Sequence, residues 1–297
     1  MGKNVFVLRT ASEIHLKTYF VKQFFMKKLI SNIKNSFKEN KVEVKVLGKF
    51  SGILILSTDN QEKSVFLLKK IFGIHAFSIA EQHSFSSLLD LQNLFLKYAE
   101  KTLSKNDSFA LRISRNGNHS FSSQDVAVQC GQKIMDSIQG LTVNLSKPSK
   151  EIFADIIGKK VFLYSEKIYG VKGLPVGVEG KVGLLMEGKK EELVSGFLML
   201  KRGCNIFPVI KKTNQKIEKN LELLFSWNSF QDFKPILFSE LKKEKDFLSA
   251  LVLSTTKEVD AIKKMQELQD QSSFVVFSPL TFYPEESFNE ILELVEK

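Results

Sequence analysis

The sequence predicts an α/β fold, with an α+β arrangement in its N-terminal half and a parallel sheet in its C-terminal half. Over residues 1–76, strand-like and helix-like segments follow one another in the order β-α-β-β-α-β. After a glycine-rich stretch at residues 170–180, strands and helices alternate singly, which is typical of a parallel sheet with crossover helices. With 43% hydrophobic and 26% charged residues over 297 positions, the chain is long enough and apolar enough for two or three domains.

The first segment opens with a buried strand and a long helix whose apolar positions include Phe20 and Phe24. Two strands follow, and Gly48-Lys49 between them is predicted to be a turn. In order, the predicted elements are a strand at 4–8, a helix at 19–37, strands at 42–47 and 52–56, a helix at 61–71 and a strand at 75–79. This is the ferredoxin-like order, which leaves one sheet face free for a partner such as RNA.

The second and third segments continue the alternation of helices and strands. Ser122 or Ser123 is the expected N-cap of a helix ending near residue 138, and Asp125 lies in its first turn. The second segment has a helix at 87–103, a strand at 109–114, that capped helix, and strands at 152–157 and 160–164. The third has strands at 181–186, 205–210, 250–253 and 274–277, and helices at 191–201, 257–268 and 285–296. No helix or strand is assigned to residues 211–249 from the sequence pattern.

The positive charge of the chain lies mainly in its first quarter. Of the net charge of +10, the first 76 residues hold 14 Lys+Arg against 5 Asp+Glu. Such an excess favours a polyanionic partner, although solvated helix faces would give the same count. The sequence has no apolar stretch that could span a bilayer, and because its start, MGKNVFVLRT, lacks an apolar run, we expect no secretion signal. Cys130 and Cys204 form no CxxC pair, so we expect buried structural thiols and a reduced, cytoplasmic location.

Two stretches resemble one family. FALRISRNGNHSFSSQDVAVQCG, residues 109–131, resembles the THUMP domain, an RNA-binding module of tRNA-modifying enzymes. Residues 164–209, which include GLPVG and KRGC, resemble the hinge and first strand-helix unit of the tRNA 4-thiouridine synthetases, or tRNA sulfurtransferases. The resemblance implies a ferredoxin-like domain at 1–76, a THUMP domain at 77–169 and a reduced, Rossmann-like PP-loop domain of the adenine nucleotide alpha hydrolase type at 170–297.

The chain departs from that family at the phosphate loop. The family's loop reads SGGIDSP, and here its seven positions run from Glu187 to Leu193 with Gly188 alone retained. Small residues let backbone N–H groups converge on phosphates, whereas a carboxylate about 4 Å from a phosphate costs on the order of several kcal/mol. The alternative is an ordinary strand-turn-helix whose acidic residues cap the helix. The nucleotide site that the resemblance implies is therefore degenerate; its residues are Leu185, Met186, Glu187, Gly188 and Lys189.

Two further losses accompany this one. Where the family has LVTGxxLGQVxSQT, the chain has LVLSTTKEVDAIKK, so that Ser254, Glu258 and Lys263 replace two glycines and a glutamine. The region that holds the family's sulfur-accepting cysteine is short here and has no cysteine. The histidines His15, His75, His83 and His119 show no metal-ligand spacing and are predicted to be structural. We expect no catalytic residues, no metal and no cofactor.

The residues that the resemblance places near RNA are better preserved. Arginine binds phosphates in a bidentate manner, and a glycine turn lets backbone N–H groups approach them. The predicted RNA-binding residues are Lys17, Lys22, Lys49, Arg112, Arg115, Asn116, Gly117, Asn118, Ser122 and Ser123. Each of them, taken singly, could equally be a solvated surface residue.

The sequence thus predicts a tRNA-binding protein that docks the acceptor end without catalysis, as a homodimer or as the partner of a competent synthetase. The alternative is an active tRNA sulfurtransferase with a rebuilt site, which would require ATP and Mg²⁺. A purely structural interaction protein is a third possibility.

Overall fold

The fold is described from a computed structural model over residues 3–50, 52–227, 234–256 and 258–297. These residues divide into two compact units. Unit 1 comprises the residues up to Arg9, Lys45–Thr58 and Ala76–Ile168. Unit 2 comprises Thr10–Val44, Asp59–His75 and Tyr169–Lys297. The domain bounds expected from the sequence, at 1–76, 77–169 and 170–297, stay predictions.

The elements of the N-terminal half are β1 (Lys3–Thr10), α1 (Ser12–His15), α2 (Tyr19–Glu39), β2 (Val44–Phe50), β3 (Ile53–Thr58), α3 (Gln61–Lys70), β4 (Ile74–Ser84), α4 (Leu88–Thr102), β5 (Ser108–Asn116), α5 (Ser123–Ser137) and β6 (Thr142–Val143). Those of the C-terminal half are β7 (Lys150–Ile157), β8 (Lys160–Tyr164), β9 (Ile168–Tyr169), β10 (Lys181–Met186), α6 (Lys190–Arg202), β11 (Asn205–Ile210), α7 (Gln215–Ser226), β12 (Ile236–Leu237), a 3-10 helix (Phe238–Glu244), β13 (Ala250–Val252), α8 (Glu258–Ser272), β14 (Val276–Phe277) and α9 (Glu285–Glu296).

The strands of unit 1 form one continuous sheet in the order β2-β3-β1-β4-β8-β7-β5-β6. Helices α4 and α5 cover one face, where Phe95 and Ile134 pack against Leu111, Ile152 and other apolar residues of the central strands. The opposite face has its own apolar cluster. Both helices begin with a capping box, and at α5 the cap is Ser122, paired with Asp125 as the sequence predicts.

The strands of unit 2 form a parallel sheet in the order β12-β11-β10-β13-β14. Helices α6, α7 and α9 lie on one face, and α8 with the 3-10 helix lies on the other. Phe72 anchors the segment that follows α3, because its ring packs against Phe197 and Trp227 with centroids 5.3 and 6.1 Å away. The side-chain amide of Asn32 in α2 donates to the carbonyl of Val176 at 3.0 Å. The predicted α/β fold, with a parallel sheet in the C-terminal half, is confirmed.

Several predicted elements need correction. The predicted turn at Gly48-Lys49 is wrong, because β2 continues through both residues to Phe50, and Gly52 takes the left-handed backbone conformation with φ +75° instead. The unassigned region contains α7, with Asn214 as its N-cap. The short strands β6 and β9 were not predicted. The predicted start of α8 at Lys257 lies outside the described residues.

Candidate nucleic-acid interface and phosphate loop

The loop after β5 is built around Arg115 in unit 1. The Arg115 guanidinium donates to the carbonyl of Gly117 and to Nδ1 of His119, each at 3.1 Å. Because a guanidinium can only donate, Nδ1 accepts, and the ring proton is on Nε2, which lies 2.8 Å from the carbonyl of Gly158. Gly117 has φ +111°, a conformation that glycine adopts without strain. The loop therefore holds an exposed arginine in a fixed position.

His119 is a residue whose role the sequence did not reveal. Its ring is stacked on Phe121, with centroids 5.2 Å apart, and lies 6.2 Å from the ring of Phe85. Asn116 and Asn118 are exposed beside it, and the backbone carbonyl of Asn116 accepts from the amide of Gly158 at 3.2 Å. These contacts agree with the prediction that His119 is structural. The part of the structure that its ring stabilises is the loop that carries the predicted RNA-binding residues.

Arg112 lies on the opposite face of the sheet from Arg115. In the parallel pairing of β5 with β7, Arg112 is opposite Phe153, whereas Arg115 is opposite Ile156, which faces the helices α4 and α5. The guanidinium of Arg112 donates to the carboxylate of Glu151 at 2.7 Å and to the carbonyl of Leu145 at 2.8 Å. The two arginines therefore cannot grip one phosphate together.

The Arg112 face carries two further cations. The ammonium of Lys167 lies 3.9 Å from the centroid of the Phe153 ring, which stacks on Tyr164. Burial lowers the pKa of Lys167, and the nearby guanidinium of Arg9 adds to this effect. Strand alternation alone could not have revealed this cluster, because Arg9 and Lys167 come from segments far apart in the sequence.

Arg9 forms a partly buried ion pair with Asp155. Their side chains meet at 2.6 Å, and the Asp155 carboxylate is 1% exposed. The Tyr164 hydroxyl donates to the same carboxylate at 3.0 Å. Burial, and then the Asp155 charge, raise the pKa of Tyr164 far above its usual value, so the hydroxyl stays protonated. The pair joins β1 to β7.

The remaining predicted RNA-binding residues are dispersed. The Ser122 hydroxyl is engaged in the α5 cap, and Ser123 begins that helix. Lys49 is on β2, six strands from β5 in the sheet order, or roughly 29 Å along the sheet at 4.8 Å per strand. Lys17 and Lys22 belong to unit 2. Arg115, Gly117, Asn116 and Asn118 are the members that the structure brings together, and their RNA contacts stay predictions.

The segment predicted to be a degenerate phosphate loop joins β10 to α6 in unit 2. Gly188 has φ +92°, and the backbone N–H groups of Glu187 and Gly188 converge. They converge on the carboxylate of Glu192, at 2.6 and 3.1 Å. The side-chain amide of Asn220 in α7 lies 3.4 Å from the same carboxylate and donates to the carbonyl of Lys189 at 2.8 Å. A buried side chain of the protein thus occupies the amide nest.

Glu192 is 2% exposed, and burial raises the pKa of its carboxyl even though the loop amides act in the opposite direction. Glu187 instead points outward and pairs with Lys189, and this hydrogen bond lowers the pKa of Glu187. The sequence alternative, an acidic residue capping the helix start, matches this arrangement. The carboxylate of Glu192 caps the start of α6, because it accepts the backbone hydrogen bonds that a hydroxyl at the N-cap position would otherwise accept.

A pocket of about 260 Å³ remains at the C-terminal edge of β10 and β13, a usual ligand position in parallel sheets. Three lysines line it, and the buried hydroxyl of Ser254 in its wall has no hydrogen-bond partner among the described residues. The lining includes Leu185, Met186, Glu187, Lys189, Lys211, Ser254, Lys264 and Glu267. Of the five predicted nucleotide-site residues, all but Gly188 line it.

Neither cysteine is poised for chemistry. Burial raises the pKa of Cys130 to about 12 and that of Cys204 to about 11, so both stay as thiols at neutral pH. Within the described residues, no three His, Cys, Asp or Glu side chains are grouped so that they could hold a metal ion. Across the same residues, no helix is long and apolar enough to cross a membrane.

Comparisons with known proteins locate two domains. Residues 5–78 match the ThiI ferredoxin-like domain, and residues 85–166 match the THUMP domain. A tRNA sulfurtransferase of Blochmanniella pennsylvanica is 29% identical over 80% of this chain and 51% of its own length. A probable tRNA sulfurtransferase of Sulfurisphaera tokodaii is 31% identical over 80% of this chain and 63% of its own. The chain therefore spans between half and two thirds of these curated relatives.

Solved structures share the fold. PH1313 from Pyrococcus horikoshii superposes with a TM-score of 0.85 at 23% identity, covering 99% of this chain and all of that one. A 4-thiouridine synthetase, solved in complex with RNA and with bound ATP, superposes with a TM-score of 0.74 at 18% identity, covering 98% and 84% of the two chains. Together, the two matched domains and the related sequences show that the chain belongs to the tRNA sulfurtransferase family.

Proposed function

We propose that this chain is a non-catalytic, tRNA-binding member of the tRNA sulfurtransferase family. It would hold the acceptor end of a tRNA through its ferredoxin-like and THUMP domains without activating a nucleotide. A cytoplasmic location and a dimeric state, with itself or with a competent synthetase, are part of this proposal.

The RNA-binding part is supported by the two domain matches and by the Arg115 loop. Arg115 is exposed, yet its guanidinium is oriented by Gly117 and His119 before any ligand arrives. A donor held in position loses little conformational freedom when it binds a phosphate. The related structure in complex with RNA has the same fold.

The observation that carries the non-catalytic part is the position of Glu192. Its carboxylate accepts hydrogen bonds from the Glu187 and Gly188 amides, the groups that a phosphate loop offers to a nucleotide. A phosphate would have to displace a buried carboxylate and then lie beside other carboxylates. The buried thiols add to this, because a sulfur carrier must be able to form a thiolate.

The experiment is a titration of the whole chain with deacylated total tRNA at several salt concentrations, alongside calorimetry with Mg-ATP. We expect tRNA binding whose affinity falls steeply as salt rises, and no heat from ATP. No binding at low salt, or binding indifferent to salt, would contradict the RNA-binding part. A clear binding heat with Mg-ATP would contradict the non-catalytic part of the proposal.

The second candidate is an active tRNA sulfurtransferase with a rebuilt nucleotide site. The pocket at the edge of β10 and β13 favours it, since Lys189, Lys211 and Lys264 supply positive charge there. In that case Mg-ATP would bind in the pocket while Glu192 stays in the nest. Transfer of sulfur to tRNA in a reconstituted reaction would then be measurable.

A further inference from the structure

The contact between Arg115 and His119 requires one protonation state of the histidine. Nδ1 of His119 accepts from the Arg115 guanidinium at 3.1 Å, and it does so through the lone pair of an unprotonated nitrogen. When an imidazole takes up a second proton, both of its nitrogens carry N–H groups and neither accepts. The charged ring would therefore present a donor and a positive charge to a group that can itself only donate.

The surroundings of the His119 ring keep it from turning away. Nε2 lies 2.8 Å from the carbonyl of Gly158, and because Nε2 carries a proton in the neutral and in the charged ring alike, this hydrogen bond persists. The ring is also stacked on Phe121, with centroids 5.2 Å apart, and lies 6.2 Å from the ring of Phe85 at an interplanar angle of 29°. On protonation, the side chain that moves is therefore the exposed Arg115.

No acidic side chain stands ready to neutralise a charge on this ring. The other titratable side chains within four residues of its contacts Phe85, Phe121 and Gly158 are Glu81, His83, Asp125, Asp155, Lys159 and Lys160. The three carboxylates among them are engaged elsewhere, Glu81 with Lys101, Asp125 in the cap of α5, and Asp155 with Arg9. Among the described residues, no carboxylate forms an ion pair with His119 or Arg115. A charge on the ring would therefore repel the guanidinium without compensation.

The orientation of Arg115 is what protonation removes. With the neutral ring, the guanidinium is held by two acceptors, the carbonyl of Gly117 and Nδ1 of His119. With the charged ring, only the Gly117 carbonyl remains, so more conformational freedom is lost when the arginine binds a phosphate. The charge that His119 gains would by itself attract a polyanion. The two effects on RNA affinity have opposite signs and can be told apart.

We propose that His119 is a proton-sensitive positioning residue, which holds Arg115 ready for an RNA phosphate while its ring is neutral and releases it when the ring is charged. This inference rests on the proposed RNA-binding function and adds a dependence on pH to it. Histidine is the side chain whose charge ordinarily changes between about pH 5 and pH 8, so the device responds to modest acidification. It needs no movement of the sheet, because only the exposed arginine changes position.

The test compares the affinities of the wild type and of His119→Gln for deacylated total tRNA between about pH 7.5 and about pH 5.5, at constant ionic strength. Glutamine offers a side-chain acceptor and does not titrate, and every other titrating group is common to the two proteins. The ratio of the wild-type dissociation constant to that of His119→Gln should rise by about three- to tenfold as the pH falls, which corresponds to the loss of one oriented phosphate contact. In an Arg115→Ala background the same ratio should not change with pH.

A constant ratio would overturn the proposal. A ratio that falls in acid would do so too, because a charged ring that binds phosphate itself strengthens wild-type binding. A change of the ratio that persists in the Arg115→Ala background would show that the effect does not pass through the arginine.

A second measurement needs neither RNA nor a variant. Nitrogen NMR of the free wild-type chain follows the ring nitrogens of His119 and the side-chain N–H signals of Arg115 as the pH is lowered. The arginine signals should change together with the protonation of the ring, and arginine signals indifferent to it would overturn the proposal. If no tRNA binding is found at any pH, the proposed function fails, and the NMR titration still decides the contact.

Discussion

Replacing Glu192 by alanine tests the central feature of the phosphate loop. The change removes the acceptors of the Glu187 and Gly188 amides, which lie 2.6 and 3.1 Å from the carboxylate. A buried donor without an acceptor costs about 1–3 kcal/mol. Water can reach part of this surface loop, and the wild-type carboxylate itself is destabilised by burial. We therefore expect a net loss of about 1–3 kcal/mol, near the upper range for a lost helix cap.

The assay is thermal unfolding at neutral pH, where a loss of that size lowers the melting temperature by about 2–10 °C. Glu191→Ala is the matched control, because Glu191 lies in the same first turn of α6 and leaves the amide contacts intact. The control should shift the melting temperature by about 1–2 °C at most, as for surface substitutions. Equal shifts for the two variants would refute the assignment of Glu192 to the amide nest.

The pH dependence gives an independent readout of the same contact. Burial raises the pKa of Glu192 in the folded protein, so the folded state binds the proton more tightly than the unfolded state. Glu192 therefore contributes its whole share of the free energy of unfolding when the pH is below the pKa that the group has in the unfolded chain. This contribution is lost as the pH rises through the higher pKa of the folded protein. The stability gap between wild type and Glu192→Ala should therefore be widest at acidic pH. A gap that widens with rising pH would contradict the sign.

Three further predictions follow from the same contacts. Glu192→Ser, which restores the family's residue, should open the nest, so that inorganic pyrophosphate gives binding heat with this variant and none with wild type or with Glu191→Ser. His119→Ala should weaken tRNA binding nearly as much as Arg115→Ala, each lowering the salt slope by about one, because His119 orients the guanidinium. Asp155→Ala should cost about 1–3 kcal/mol, because the Arg9 side chain left behind is 25% exposed and can be partly hydrated. Arg9→Met combined with Asp155→Leu should cost less than Asp155→Ala in unfolding experiments.

Regular periodicity made most of the fold predictable. The bounds of β10, β11 and α9 agree with those predicted from sequence, because long apolar runs and amphipathic patterns continue to the ends of these elements. The turn between β2 and β3 was misplaced because Gly48 and Gly52 are both turn-forming residues, and only tertiary pairing decides which of them turns. The two-residue strands β6 and β9 are too short to have a period.

The candidate site was less predictable than the fold. Arg112 and Arg115 are an odd number of residues apart, so strand alternation places them on opposite faces of the sheet, although the sequence prediction gave both in one set of RNA-binding residues. The lysine at position 167 and Arg9 reach the sheet from distant segments, which no local pattern reveals. The phosphate loop was predicted to be degenerate because of the lost small residues and of charge repulsion, and helix capping by acidic residues was the alternative. The structure shows the amides already bonded to Glu192.

The occupied nest also explains how the loop can keep its shape without a nucleotide. Converging N–H groups at the start of a helix need an acceptor, and in an ATP-binding loop a phosphate or water supplies it. A chain that binds no phosphate gains stability by supplying the acceptor itself, and a glutamate three residues beyond the N-cap of α6 has the reach to do so. On this reasoning the substitutions in the loop are not independent losses. If the chain binds no nucleotide, as proposed, the same hydrogen bonds of Glu192 stabilise the strand-turn-helix unit and keep phosphate out of the nest. Replacing Glu192 should then lower the stability of the fold and raise the affinity for ATP.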